Sequence, residues 1–156
     1  MSKSHKRVLA ALDAAGVDYE MREETVLTKT AVEAAEAAGC EVDQIAKSII
    51  WKGAATGAPL LFLTAGGRRV DEAQASALAG EALERADADY IRAATGFAIG
   101  GVSPVGHTGP VRAWMDRRLT EFSIVWAAAG TPRHNFAVSP SDLIRITNAQ
   151  VADFAS

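Results

Sequence analysis

The spacing of hydrophobic residues predicts helices at the two ends of the chain. In the segment HKRVLAALDAAG, Val8, Leu9 and Leu12 fall on one helical face, and Gly16 fits the end of a helix. Four further segments have helical spacing or capping residues, such as Pro140 at a first helical position. These predicted helices are TAVEAAEAAG (30–39), VDEAQASALAG (70–80), SPSDLIRIT (139–147) and NAQVADFA (148–155).

Strand-like segments dominate the middle of the chain, where β-branched and aromatic residues are concentrated. AKSIIWK (46–52) and APLLFLTA (58–65) flank the turn GAATG, so this pair predicts a hairpin. The other predicted extended segments are VDYEMR (17–22), ADYIRAATG (88–96), FAIGG (97–101), PVRAWMD (110–116), FSIVWAAAG (122–130) and NFAVS (135–139). Strands flanked by helices predict a mixed α/β (α+β) fold with a single, curled central sheet.

Composition restricts the class of protein. The 156 residues suit one domain, covering residues 1–156, and 49% hydrophobic with 22% charged residues is typical of globular chains. No apolar stretch is long enough for a membrane helix, and the only cysteine is Cys40, which together favour a cytoplasmic location without membrane contact. A net charge of −3 argues against binding nucleic acid through the surface as a whole, so such a partner would meet a local arginine patch.

The sequence contains no motif typical of a metal or cofactor site. His5, His107, His134 and Cys40 have neither the H-x-x-x-H nor the C-x-x-C spacing of zinc sites. Cys40 follows Gly39 at a predicted helix end, where a packed and inert thiol is expected. We therefore predict no metal, no cofactor and no cysteine nucleophile.

The glycine-rich segment IGGVSPVGH, residues 99–107, is the first candidate site. Residues 101–108 approach the spacing of a phosphate-binding P-loop, but a histidine replaces the lysine and a Gly-Pro pair prevents the required helix. Adjacent Gly100 and Gly101 leave their backbone N–H groups unshielded, which suits a carbonyl, an oxyanion or a phosphate. A tight bend between strands accounts for the glycines equally well.

Lys47 is the second candidate because it stands in an otherwise apolar strand. Alternation places it on the same strand face as Ile49 and Trp51. It lies either at the solvated start of the strand or at the wall of a cavity. In a cavity, its ammonium group would bind phosphate or polarise a carbonyl.

Three segments in this order resemble one family. AKSIIWK, ATGFAIGGVSPVGH and AAGTPRHNFAVSPSDLIRIT are similar to the YbaK/EbsC family, which includes the inserted editing domain of bacterial prolyl-tRNA synthetases. The resemblance covers nearly the whole chain, and the strand lysine and the glycine–glycine–x–x–proline–x–glycine element are its most specific parts. It implies a partly barrel-like mixed sheet flanked by helices. It also implies a free-standing aminoacyl-tRNA deacylase that hydrolyses the ester of a mischarged tRNA in trans.

The resemblance implies a role for each matching residue. Lys47 and Gly101 are the implied catalytic residues, with backbone amides stabilising an oxyanion because no nucleophile with an adjacent base is evident. The implied substrate-binding residues are Ser48, Gly100, Val102, Ser103, Pro104, Gly106, His107, Asp116, Gly130, Thr131 and His134. The implied partners are the acceptor end of aminoacyl-tRNA and a prolyl- or cysteinyl-tRNA synthetase. The implied substrates carry a small amino acid such as alanine, serine or cysteine.

Two other functions remain open at this point. One is a catalytically silent protein of the same fold that binds tRNA or a synthetase, which the lack of an evident base allows. The other is a small-molecule ester hydrolase or a nucleotide-binding protein.

Overall fold

A computed structural model describes residues 2–156 and confirms the mixed α/β class. The helices are α1 (Lys3–Ala15), α2 (Ala31–Ala38), α3 (Glu72–Ala79), α4 (Ala88–Thr95) and α5 (Pro140–Thr147). The strands are β1 (Glu20–Glu23), β2 (Ala46–Gly53), β3 (Pro59–Ala65), β4 (Leu83–Arg85), β5 (Arg112–Asp116), β6 (Val125–Ala128), β7 (His134–Val138) and β8 (Gln150–Ala152). Two 3₁₀ turns cover Val42–Gln44 and Arg117–Glu121.

The strands form two sheets, so the prediction of a single sheet is wrong. The smaller sheet has the antiparallel order β1-β7-β6, and the larger has the order β4-β2-β3-β5-β8. In the larger sheet, β2 and β3 form the predicted antiparallel hairpin, whereas β5 runs parallel to β3 and to β8. One parallel bridge between Ile45 and Trp126 joins the sheets. Apart from this bridge, β6 pairs with β7 of its own sheet and not with a strand of the larger sheet, so the described strands do not close into a barrel.

Capping side chains fix most of the predicted helix boundaries. Thr30 and Glu33 form a capping box at the start of α2, and the Asp71 side chain caps α3. Gly16 and Gly39 adopt left-handed conformations that end α1 and α2. The contacts that set these boundaries join residues close together in the sequence, which explains why the sequence predicts them.

Three predicted elements are wrong. FAIGG (97–101) belongs to no strand and contains a turn at residues 99–100. Residues 88–96 contain helix α4, not an extended segment, because the Asp87 side chain accepts from the Tyr90 amide as an N-cap. Residues 148–155 do not form a helix, because Asn148 takes a φ of 54° and ends α5. The chain then continues as β8 at the edge of the larger sheet.

The larger sheet is buried on both faces. Leu61 and Leu63 of β3 join a core cluster that includes residues of both sheets, while Phe62 and Trp114 stack at 4.9 Å in a second cluster beneath α3. Side chains alternate between the two faces of a strand, and Ile50 of β2 lies on the face that packs into the first cluster. No helix among residues 2–156 combines the length and apolarity that crossing a bilayer would require.

Candidate functional site

A cavity of about 570 Å³ lies where the two sheets diverge. Beyond the Ile45–Trp126 bridge, residues 45–50 line one side of the cavity, and Ala128 and Asn135 of the smaller sheet line the other. The segment leading into α2 and the glycine-rich loop form the rest of the wall. Isoleucine, valine and alanine side chains make up most of the lining. An apolar pocket with a few polar groups is the usual form of a ligand site.

The polar side chains of the wall are two lysines and four neutral groups. They are Lys29, Lys47, Thr28, Thr30, Ser48 and Asn135. Within residues 2–156, no aspartate or glutamate lines this cavity. The cavity is therefore electropositive and suits an anionic or carbonyl-bearing ligand.

The Lys47 side chain is half-buried at the cavity wall, which is one of the two positions that the sequence predicts for it. Its Nζ donates to the Gly66 carbonyl oxygen at 3.2 Å, which leaves two ammonium hydrogens for a ligand. Burial lowers the pKa of Lys47, and the charge of Arg69 lowers it further, while Asp43 and Asp116 act in the opposite direction.

Asp43 holds the turn that contacts Lys47. Its Oδ1 accepts from the Gly67 amide at 2.8 Å, and its Oδ2 accepts from Arg118 Nε at 3.0 Å. Burial alone would raise the pKa of Asp43, but the hydrogen bonds from Arg118 and Gly67 lower it below its ordinary value. A methyl group on Gly66 would collide with the Val42 carbonyl oxygen, so this turn has little freedom.

The glycine-rich loop lines the cavity through Ile99, Gly100 and Val102, and not through Gly101. The Gly101 amide already donates to the Ala98 carbonyl oxygen at 3.0 Å, so it is not the free donor that the sequence predicts. Within residues 2–156, the Ile99, Gly100 and Val102 amides of this wall have no hydrogen-bond partner, so they are available as donors. Gly101 instead packs closely against Thr131, whose Cα would lie 2.8 Å from an added Cβ.

Ser103, Pro104 and His107 lie outside the cavity wall and hold the loop in shape. Ser103 is fully buried, and its Oγ accepts from the Val105 amide at 3.3 Å. Its carbonyl oxygen lies 2.7 Å from His107 Nε2. Burial lowers the pKa of His107, and Arg7 lowers it further, against the opposing effect of the Ser103 hydrogen bond.

Gly106 and Gly130 also lie outside the wall, because both pack against α1. Their φ angles are 81° and 95°, in the left-handed region. An added Cβ at Gly106 would lie 3.0 Å from the Arg7 carbonyl carbon, and one at Gly130 would lie 2.8 Å from that of Ser4. These glycines are therefore required for helix packing, which the sequence does not distinguish from ligand binding.

Asp116, Thr131 and His134 are likewise not brought to the cavity wall. The Asp116 carboxylate is buried and accepts from Arg68 and from backbone amides. His134 stacks on His5 at 3.8 Å, and its Nδ1 lies 2.6 Å from Thr131 Oγ1. Burial lowers the pKa of His134, as does His5, while Glu23 opposes the shift.

Of the predicted site residues, the cavity wall brings together Lys47, Ser48, Gly100 and Val102. Sequence reasoning misses Thr28, Lys29, Thr30 and Asn135, which also line it. The run TKT before a capped helix and a buried asparagine within the strand NFAVS are the signals that could have indicated them.

Comparison with known proteins is consistent with this geometry. A sequence model described as "Aminoacyl-tRNA editing domain" matches residues 25–146. The chain is 25% identical over 123 residues to the Enterococcus faecalis protein named "Putative Cys-tRNA(Pro)/Cys-tRNA(Cys) deacylase EbsC", covering 78% of this chain and 74% of that protein.

Two solved structures share the whole fold. One, described as a "putative trans-editing enzyme for prolyl tRNA synthetase", is 44% identical with a TM-score of 0.92, covering 100% of this chain and 99% of that one. The other, described as hypothetical protein APE2540, is 27% identical with a TM-score of 0.89, covering 96% and 99%. The chain belongs to the aminoacyl-tRNA editing domain family.

Proposed function

We propose that the protein is a trans-acting aminoacyl-tRNA deacylase, which hydrolyses the ester between a wrongly attached small amino acid and the terminal ribose of tRNA. The observation that carries the proposal is that Lys47 and the residues of the glycine-rich loop with partnerless amides line the same cavity. The names of the relatives, a Cys-tRNA deacylase and a trans-editing enzyme, support the same reaction class.

The free amides are suited to stabilise the transition state. When the ester carbonyl is attacked, its oxygen gains negative charge, and the Gly100 and Val102 N–H groups are available to donate to it. The two unused hydrogens of Lys47 bind the carbonyl or the adjacent phosphate of the substrate. Each well-placed donor of this kind contributes about 10²–10³ in rate.

The attacking group is water, acting directly or through a ribose hydroxyl. Ser48 is the hydroxyl beside Lys47, and its Oγ is buried without a hydrogen-bond partner, so no base is in place to activate it. Water forms the new bond to the acyl carbon, and the bond from that carbon to the ribose oxygen breaks. The ribose oxygen takes up one of the water's protons, the other is released to solvent, and the amino acid leaves as a carboxylate.

The partner in this proposal is the acceptor end of aminoacyl-tRNA, delivered freely or by a prolyl- or cysteinyl-tRNA synthetase. Lys29 lies at the exposed rim of the cavity and Lys47 deeper, so positive charge extends inward from the mouth. With a net charge of −3, the rest of the surface adds little attraction to phosphate.

The test is single-turnover deacylation of a panel of mischarged tRNAs by wild-type protein and by Lys47→Ala. We expect Lys47→Ala to lose about a hundredfold in rate while retaining the wild-type melting temperature. Lys52→Ala is the matched control, because Lys52 belongs to the same strand and its ammonium lies over the Tyr90 ring, 5.3 Å from its centroid.

Two results would contradict the proposal. Binding of tRNA without any loss of the aminoacyl group would identify a silent binding protein. An unchanged rate in a folded Lys47→Ala variant would remove Lys47 from the reaction.

A further inference from the structure

Asn135 is a buried polar side chain that the proposed reaction does not use. It lies in β7, the central strand of the smaller sheet, and is paired with Arg22 on one side and Ala128 on the other. Only 9% of the residue is exposed, and it lines the cavity. A side chain on a central strand is held more rigidly than one on a loop.

The hydrogen bonds of Thr28 fix which end of the Asn135 amide faces the cavity. The Thr28 hydroxyl donates its only hydrogen to the Pro132 carbonyl oxygen at 2.8 Å. Toward Asn135 it can therefore only accept, and it accepts from Asn135 Nδ2 at 3.0 Å. This bond turns the Asn135 amino group toward Thr28 and the carbonyl oxygen Oδ1 away from it.

The Asn135 Oδ1 is an acceptor without a protein donor. Within residues 2–156 it receives no hydrogen bond, yet it is not among the fully buried orphan atoms, which are Ser48 Oγ and Trp51 Nε1. Oδ1 therefore keeps some accessible surface, and Asn135, the residue that carries it, lines the cavity. Most of the surrounding wall is apolar, so a bound ligand without a donor would leave this carbonyl unpaired.

The charges of the cavity restrict the donor that Oδ1 can take. Lys29 and Lys47 line the same cavity, and no described carboxylate does. A substrate α-ammonium at Asn135 would be a third cation without a countercharge, which is unfavourable. A neutral hydroxyl or thiol donor brings no such repulsion.

We propose that Asn135 is a specificity-determining residue, which accepts a hydrogen bond from the side-chain hydroxyl or thiol of the substrate's amino acid. This proposal rests on the proposed deacylase function and narrows its substrates to seryl, threonyl and cysteinyl esters over alanyl ones. A site that pairs with a substrate donor rejects the analogue lacking it more strongly than an apolar pocket rejects a missing methylene.

The test compares the seryl-to-alanyl ratio of kcat/KM in wild-type protein and in Asn135→Leu, a replacement of similar shape without the acceptor. We expect the wild type to prefer the seryl ester and Asn135→Leu to lower the ratio by roughly 5- to 100-fold. Thr28→Val, which keeps the amide but frees its orientation, should lower the ratio by a smaller factor. Thr147→Val is the matched control, because its hydroxyl donates to the Leu143 carbonyl oxygen and accepts from the Ala149 amide, away from the cavity, and it should leave the ratio unchanged.

Other outcomes overturn the assignment. Equal slowing of both esters by Asn135→Leu would mean that Asn135 binds the α-amino group or acts structurally. Equal wild-type rates on the seryl and alanyl esters would also refute it.

Binding of amide-linked seryl- and alanyl-3′-aminoadenosine, measured by calorimetry, separates this proposal from the deacylase proposal. A seryl preference that is lost in Asn135→Leu, in a protein without turnover, would refute only the deacylase. Equal binding of the two compounds would refute only the role of Asn135.

Discussion

Replacing Gly101 by alanine tests whether this glycine serves packing or chemistry. An added Cβ would lie 2.8, 2.9 and 3.0 Å from the Thr131 Cα, N and C atoms. These are backbone atoms of the segment that precedes β7, so they cannot rotate away as a flexible side chain can. Either the glycine-rich loop or the Thr131 segment must move by a few tenths of an ångström.

The size of the effect follows from this overlap. Gly101 does not have a left-handed φ, so alanine brings no conformational strain and the whole cost is overpacking, about 1–3 kcal/mol. For a chain of this length, that corresponds to a fall in Tm of about 2 to 12 °C. The displaced loop carries the Gly100 and Val102 amides, so the deacylation rate per folded molecule should also fall, although the Gly101 amide is itself occupied.

Gly106→Ala is the matched variant in the same loop. Its added Cβ would meet the Arg7 backbone of α1 at 3.0 Å, away from the cavity wall. We expect a larger fall in Tm than for Gly101→Ala, because the left-handed φ of Gly106 adds about 1–2 kcal/mol of strain to the contact. The rate per folded molecule should be unchanged, and thermal melts and single-turnover deacylation measure the two quantities. A wild-type melt for Gly101→Ala would refute the packing argument. An equal loss of rate in Gly106→Ala would refute the argument that the cavity amides are displaced.

Three further outcomes follow from charges near the site. Asp43→Asn should lower the free energy of unfolding by about 1–3 kcal/mol and slow deacylation, because it loosens the turn that contacts Lys47. Asp153 forms an exposed ion pair, so Asp153→Asn should change the free energy of unfolding by less than about 1 kcal/mol. Because the pKa of Asp43 is lowered in the folded state, its contribution to stability should be complete above about pH 4 and disappear on acidification below that, which denaturant titration with Asp43→Asn as the reference measures. The lowered pKa of His107 means that the unfolded chain binds its proton more readily, so stability should fall as pH drops through about 6.5, and His107→Gln should reduce that fall in melts between pH 5 and 8.

The residues that sequence reasoning places correctly are those whose surroundings are local. Thr30 and Glu33 cap a helix through neighbours within the same turn, and the β2–β3 hairpin follows from two apolar runs around a short turn. Lys47 is found because it is a cation near the start of one of those runs, ahead of Ile49 and Ile50. In each case the physical cause lies within a few residues of the signal.

The glycines show why the rest could not be predicted. Gly101, Gly106 and Gly130 each exclude a side chain because a distant segment approaches them, and those segments belong to residues 131, 7–8 and 4–5. The sequence shows that a close approach occurs but not what approaches. A ligand and a packed backbone require the same absence of a Cβ, so the sequence alone does not distinguish the two.

The cavity forms because β4 pairs with only the last residues of β2. The Gly53 amide donates to Ala58 across the hairpin, and the Ala54 amide donates to Ala82 on the opposite side. Alternation therefore turns the backbone groups of Ser48 and Ile50 away from β3, toward the edge that β4 covers only over Trp51–Gly53. An uncovered edge usually invites aggregation, but here the smaller sheet and the glycine-rich loop enclose it. Its unpaired backbone and Lys47 then face the enclosed cavity. How many residues of each strand are paired depends on the assembled sheets. The sequence therefore predicts Lys47 but not the cavity that it lines.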